Sequence, residues 1–286
     1  MVLTGKRILI TGAAGGLGAA TARMLRERGA RVIGIDKTPG EGDIALILAD
    51  LRDPISTSAG VNEAIARLGG LDILINNAGV LSLQDPGAPP GDDVLDAIQV
   101  NFLGAWRMTA AALPALEQSR GHVINVASLF AFVNAPFVPA YCATKRALTA
   151  YSDVLRLQHG DRIQVTTLYP GYMDTAIHTA AVRQGLSVAK IVRFSLGGRT
   201  LVTFEESLDA AARRVVRACA GGAARDAGMT IRGQLTLLLA RHAAALTDRV
   251  VALRLGQLAR RGMRVQLESS AVHASAGAAV PVAKSA

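Results

Sequence analysis

The chain has 286 residues, half of them hydrophobic, and 31 Lys and Arg against 22 Asp and Glu give a net charge of +9. That is enough chain for one large core without a second domain, and two cysteines with five scattered histidines give neither a disulfide framework nor metal-ligand spacing, so no metal site is predicted. The N-terminus enters an apolar run directly and no uncharged apolar stretch reaches the roughly 18 residues of a membrane-spanning helix, so a cytoplasmic protein without a signal peptide is expected.

The first predicted strand is K-R-I-L-I-T, residues 6–11. It runs into Gly12-Ala13-Ala14-Gly15-Gly16-Leu17-Gly18 and then a helical stretch through Arg28. A strand, a glycine turn and a helix form a phosphate cradle, because small residues let the backbone approach a pyrophosphate and the helix N-terminus offers free N–H groups. The second run, residues 31–36, ends in Asp36, where an acid can hold ribose hydroxyls; standing alone it would equally suit a surface turn. Further strands are predicted near residues 44–49, 71–76, 121–127 and 162–169, with helices between them and a short seventh strand near Met229 to Ile231. Near-continuous apolar strands such as Leu71-Asp72-Ile73-Leu74-Ile75 are those buried on both faces, so the fold class is α/β, a doubly wound parallel sheet with helices on both faces.

Tyr141 and Lys145 stand four residues apart in Y-C-A-T-K, thirteen residues after Ser128. On a helix this spacing places phenol and ammonium on one face, toward an upstream hydroxyl. With Thr11 and Gly12, Gly16, Gly18, Asp36, Asp50 and Leu51, Asn76-Asn77-Ala78-Gly79, Asn101, and Pro170-Gly171 followed by Thr175, the ordered motifs make residues 4–235 resemble a short-chain dehydrogenase/reductase of the compact type.

The resemblance implies interconversion of an alcohol and a ketone or aldehyde by hydride transfer. Tyr141 would be the general acid/base, Ser128 would orient the substrate oxygen, Lys145 would tune Tyr141 and hold the nicotinamide ribose, and Asn101 would support a water relay. Cofactor contacts are implied for Thr11, Gly12, Gly16, Leu17, Gly18, Asp36, Asp50, Leu51, Asn77, Ala78, Gly79, Tyr141, Lys145, Pro170, Gly171 and Thr175. Free tyrosine titrates near 10, and one cation at about 4 Å in an effective dielectric near 20 supplies the roughly 3–4 kcal/mol needed to lower it by two to three units. Other readings stand beside these: Ser128 also suits a strand-end cap, Asn101 a helix-interior amide bonded to nearby backbone, Asn76 and Asn77 turn formers, and Asp50 a plain loop acid.

Asp36 favours NAD over NADP, since a carboxylate repels a 2′-phosphate, although Lys37 directly follows it. The apolar stretch Leu129-Phe130-Ala131-Phe132-Val133 with Phe137, and a lid from Tyr172 to about Phe204 carrying Met173, Ile177, Ile191, Val192 and Phe194, point to a small hydrophobic alcohol or ketone as substrate. The same side chains suit packing of the lid on the body. Residues 236–267 form a basic extension in which Leu235, Leu239, Leu246, Val250 and Leu253 recur on one helical face with Arg241 and Asp248 opposite, and Arg249, Arg254, Arg260, Arg261 and Arg264 cluster nearby. Such a helix suits contact with an anionic membrane surface or packing on its own domain or a partner. Disorder is predicted for residues 268–286. No nucleic-acid motif accompanies the basic charge. Helices holding Asn101 to Leu116 and Pro139 to Gln158 resemble those through which relatives form homo-oligomers. An NADPH-dependent carbonyl reductase and a catalytically silent NAD sensor are the competing functions.

Overall fold

The computed structural model describes residues 2–40, 43–175, 177, 193–196, 199–203, 205–222 and 225–260. Seven parallel strands form the central sheet: β1 (Arg7–Thr11), β2 (Arg31–Asp36), β3 (Ala45–Leu48), β4 (Ile73–Asn76), β5 (His122–Val126), β6 (Gln164–Tyr169) and β9 (Asp226–Gly228), in the spatial order β3-β2-β1-β4-β5-β6-β9. The order reverses between β1 and β4, and a doubly wound sheet binds ligands beyond the carboxyl ends of its strands at such a point. A separate antiparallel hairpin pairs β7 (Arg193–Leu196) with β8 (Arg199–Thr203).

The strands are apolar on both faces because both are covered. Ile8 and Ile10 of β1 point to one side, where they join Leu25 of α1 (Gly16–Arg26) and Val215 and Val216 of α6 (Leu208–Cys219). Leu9 points to the other, with Val61 of α2 (Pro54–Leu68) and Met108 and Leu116 of α4 (Ala105–Ser119). This is the period-two alternation of a strand sandwiched between two helical layers. Local signals set the helix ends. Asp53 caps α2 by accepting from the Ile55 N–H at 2.9 Å, Pro54 opens it, and Gly69 closes it at φ 74.

A chain of buried amides binds the strand ends to the helices. Asn76 Nδ2 donates to Asn125 Oδ1 at 2.8 Å and to Thr109 Oγ1 at 3.0 Å. Asn125 Nδ2 donates in turn to Ser152 Oγ at 2.8 Å, on α5 (Pro139–His159). Between α3 (Asp92–Ile98) and α4 the helical run passes through a π-helical segment, Gln99–Gly104, which holds Asn101.

Two expectations differ from the structure. The seventh strand lies at Asp226–Gly228, ahead of Met229, and Ile231 instead opens α7 (Ile231–His242) because Thr230 caps it, its hydroxyl accepting from the Gly233 N–H at 3.0 Å. The single C-terminal amphipathic helix is two helices, α7 and α8 (Ala244–Arg260), broken at Ala243 with φ −138 and ψ 49. Leu235 and Leu239 therefore belong to one helix and Val250 and Leu253 to the next. The Arg241 guanidinium lies 4.9 Å from the Phe132 ring centroid and bonds Asp226 at 3.2 Å. Asp248 accepts from Asn134 Nδ2 at 2.9 Å. Ile191, Val192, Arg261, Arg264 and residues 268–286 lie outside the described residues, as do the side chains of Phe194, Leu246 and Arg254. Among the described residues no helix is long and apolar enough to cross a membrane.

Candidate active site

At the carboxyl ends of the strands a cleft of about 300 Å³ is lined by Gly12, Gly15, Gly16 and Leu17 from the first turn, Asp36, Asn77 to Gly79, Ser128, Tyr141, Lys145, Pro170, Gly171 and Thr175. A narrower recess adjoins it, lined by Asp36, Asp50, Leu51, Arg52, Val80, Asp96 and Val100. The two share Gly12, Asp36, Ala78 and Gly79, and together they gather residues from six loops at one edge of the sheet.

The floor is fixed by backbone approach and by short polar bonds. A Cβ on Gly12 would stand 2.9 Å from Ala78 Cα, so only glycine lets the first turn lie against the loop after β4. Thr11 Oγ1 accepts from the N–H groups of Asn77 and Ala78, both at 3.0 Å, and Asn77 Nδ2 donates to the Thr11 carbonyl at 2.9 Å. Thr11, Gly18 and the Asn77 amide thus hold the turn in place; Thr11 and Gly18 do not line the cleft. Gly15 caps α1 without a side chain, and a Cβ there would meet nothing within 4 Å. The open N-terminus of α1, ringed by glycines, fits a pyrophosphate. Thr175 stands across from it, its Cγ2 3.7 Å from where a Cβ on Gly16 would sit.

Asp36 lies where the cleft and the recess meet. One carboxylate oxygen accepts from the Ala14 N–H at 3.0 Å and the other from the Thr38 N–H at 3.3 Å, which aims the group and leaves lone pairs for a diol. Asp50 lines the recess and is paired. Its carboxylate is taken by Arg52, with Nε at 2.9 Å, and that guanidinium also reaches Asp96 at 3.1 Å. These bonds hold Asp50 below the usual carboxylate range. Asp50 and Leu51 wall the recess, with the Asp50 charge neutralised by Arg52. Arg52, Asp96, Val80 and Val100 are site residues that sequence reasoning missed, and no spacing rule marks them.

At the other end of the cleft Ser128 follows β5 in extended backbone. Its hydroxyl accepts from the Phe130 N–H at 3.1 Å, capping the short turn Leu129–Ala131, and it lies close enough to the Tyr141 phenol to lower that group's pKa. Cap and site partner are thus one side chain. The Phe130 ring meets Tyr141 edge-on at 6.2 Å, which fixes the phenol's tilt. Lys145 is 3% exposed, and its Nζ donates to the Val126 carbonyl at 2.9 Å while lying 5.6 Å from the Tyr141 ring centroid.

The expected lowering of Tyr141 by Lys145 has burial acting against it. Burial pushes the phenol up to about 12, against a smaller lowering by the Ser128 hydroxyl. Burial likewise pushes Lys145 down to about 8. The ammonium is turned to Val126, and burial shifts both groups toward their neutral forms while leaving Lys145 still mostly charged at neutral pH. Tyr141 therefore keeps its proton at neutral pH.

Asn101 sits behind this trio. Its Oδ1 accepts from the Val80 N–H at 2.7 Å, and its Nδ2 donates to the Val80 carbonyl at 3.0 Å and to Thr144 Oγ1 at 3.1 Å. The amide thus clips the backbone of the loop after β4 to α5, and its partners lie outside its own helical run. At the opposite wall Glu206, also unforeseen, accepts from the Gly171 N–H at 2.9 Å and from the Thr230 hydroxyl at 2.9 Å, and burial raises it above the usual carboxylate range. It ties the Pro170-Gly171 turn to the start of α7.

Comparisons with known proteins agree with this fold. The family model described as short chain dehydrogenase matches residues 6–185. A 3-ketodihydrosphingosine reductase of Bacteroides thetaiotaomicron is 35% identical over 172 residues, which cover 59% of this chain and 64% of that protein. A fatty acyl-CoA reductase of Mycobacterium tuberculosis is 36% identical over 185 residues, covering 58% and 63%. The match thus spans less than two thirds of either relative. A short chain dehydrogenase from Burkholderia cenocepacia J2315, solved in complex with NADP, superposes with a TM-score of 0.71 at 25% identity, over 87% of this chain and 99% of that one.

Proposed function

The chain belongs to the short-chain dehydrogenase family, an oxidoreductase family, and from that premise we propose that it reduces an apolar ketone or aldehyde, and oxidises the matching alcohol, with Ser128, Tyr141 and Lys145 as the reacting site. The observation that carries this is the meeting of the Ser128 hydroxyl, the Tyr141 phenol and the Lys145 ammonium in the cleft whose far end is the glycine turn. A bound nicotinamide dinucleotide supplies or receives the hydride. Gly12, Gly15, Gly16 and the N-terminus of α1 would hold its pyrophosphate, Asp36 its adenosine ribose, the recess beside Asp50 and Leu51 its adenine, and Gly79 and Lys145 its nicotinamide ribose.

The chain's own part is to bind the substrate oxygen and deliver a proton to it. Ser128 donates a hydrogen bond to that oxygen, and Tyr141, neutral with a pKa pushed up to about 12, transfers its proton there as negative charge develops. Lys145, lowered to about 8 by burial, is still mostly charged at neutral pH and sets a cation beside a hydroxyl or phenolate. In the reverse direction the same phenol takes the alcohol proton as phenolate. Asn101 holds Val80 and Thr144 on either side of the trio.

An apolar substrate is supported by the surroundings of Tyr141, where Phe130, Val133, Val138 and Ile177 form one apolar cluster. The relative named fatty acyl-CoA reductase points the same way. NAD is favoured over NADP because the Asp36 carboxylate is aimed at a ribose diol and the nearby Arg52 is already neutralised by Asp50 and Asp96.

Tyr141→Phe tests the reading. It is expected to lower turnover of apolar ketones by at least about a hundredfold while leaving NAD binding, followed by fluorescence, within roughly twofold of wild type. Turnover surviving in the Phe variant would remove Tyr141 from the chemistry. Cofactor binding with no turnover of any alcohol or ketone by the wild type would favour a sensor instead.

A further inference from the structure

The outward sides of α7 and α8 are more apolar than a solvated surface needs. Ile231, Leu235 and Leu239 of α7 stand at helical spacing and are 84%, 58% and 54% exposed. On α8, Val250 and Leu253 are exposed, Leu253 at 62%, and the exposed Arg249 and Arg260 fall within the same arc at 100° per residue.

The opposite sides of the same helices reach the candidate active site. Leu237 of α7 is buried with Leu129, Ala131 and Tyr169. Ala240 of α7 and Val251 of α8 belong to the apolar cluster that includes Tyr141 and Ile177. The two helices are thus one wall of the Tyr141 surroundings, with leucines facing out on the far side.

Charge indicates what covers that outer face. The described cations of that face are Arg249 and Arg260; Arg241 is turned inward onto Asp226, and the single acid of residues 231–260, Asp248, accepts from Asn134. A second copy seated on this face would set arginine against arginine across an apolar contact. An anionic lipid surface meets both features, taking the leucines among its acyl chains and the guanidinium groups at its phosphates.

We propose that the outer face of α7 and α8 docks on an anionic lipid surface and holds the mouth of the Tyr141 cleft at the bilayer, so that an apolar substrate enters without crossing water. The access half of this rests on the reductase reading; the docking half does not.

The test is sedimentation of the full chain with phosphatidylcholine vesicles, with and without about one third phosphatidylglycerol, at low salt and at about 0.5 M salt. Binding at least about tenfold stronger to the anionic vesicles, reversed by salt, is expected. Arg249→Gln with Arg260→Gln should weaken it by roughly tenfold or more, and Leu235→Gln with Leu239→Gln and Leu253→Gln by a similar factor. These positions are exposed, so cofactor binding should stay unchanged in both variants and report that they are folded. Equal affinity for the two vesicles, no binding, or leucine variants that change the native mass instead of vesicle binding would overturn the docking. Vesicle binding by a protein that turns over no alcohol or ketone would leave the docking standing and remove only the access role.

Discussion

The two ends of the cleft are built on different physics. At the glycine end, position is set by backbone approach and directional bonds: Gly12 against Ala78, Thr11 to Asn77 and Ala78, Asp36 to Ala14. At the substrate end, Tyr141 is surrounded by Phe130, Val133, Val138 and Ile177, whose contacts are apolar and non-directional. A dinucleotide presents the same phosphates and riboses in every relative, so its end demands particular residues in particular backbone conformations. An apolar substrate demands only volume, which many side-chain combinations supply. Substitutions at the first end should therefore act sharply and at the second gradually.

The sharpest is Gly18→Val. A Cβ there would overlap the Gly12 carbonyl oxygen and come within 2.8 Å of Asn77 Nδ2, so the turn must open. Overpacking of this kind costs about 1–3 kcal/mol, and NAD binding measured by calorimetry should fall at least about a hundredfold, equivalent to roughly 3 kcal/mol. A variant that binds NAD normally would show the turn to be compliant and remove the contrast between the two ends.

Lys145→Met separates function from stability at the joint of the two ends. Lys145 is 3% exposed and lowered from 10.5 to about 8. Between those values the unfolded chain binds the proton more readily than the folded one, so stability rises with pH from about 8 to 10.5 and the full penalty is present below 8. The Met variant should then be more stable at pH 7 by about 2 kcal/mol, allowing for the lost bond to Val126, and its advantage should vanish toward pH 10.5. Turnover should fall by about a hundredfold or more. Thermal unfolding at pH 7 and pH 10 reads the first effect; an advantage that does not shrink with pH would mean that Lys145 is not buried as a charge.

The same contrast explains what the sequence makes legible. Gly12, Gly16, Gly18 and Asp36 are visible because each answers a local backbone demand, and apolar runs mark the strands because the sheet is buried on both faces. Asn101 carries no local mark of its role: its partners Val80 and Thr144 are distant in the chain, and the π-helical segment that aims it has no distinctive composition. Arg52 and Glu206 act through tertiary neighbours in the same way. The break at Ala243 lacks a Gly or Pro, so the leucine repeat reads through it as one helix.

Asp36→Ala should act next in size. It removes a charge-assisted acceptor for the ribose diol and the repulsion of a 2′-phosphate, so the ratio of kcat/KM for NAD to that for NADP should fall by about thirtyfold, equivalent to roughly 2 kcal/mol. An unchanged ratio would assign cofactor choice elsewhere, with Lys37 the nearest candidate in the recess.

Ile177→Ala probes the gradual end. Ile177 lines the cleft and belongs to the apolar cluster around Tyr141. The lost methyl and methylene groups should lower kcat/KM for a long-chain ketone by about tenfold, within the roughly 1–3 kcal/mol that such groups are worth in an apolar pocket, and leave a short ketone nearly unaffected. Its Cδ1 stands 3.9 Å from where a Cβ on Gly79 would sit, close enough to touch the cofactor end, so NAD affinity must be measured beside it. If NAD affinity falls as much as the long-chain ketone's kcat/KM, Ile177 belongs to the directional end and the substrate wall lies farther out, toward Phe137 and the helices behind it.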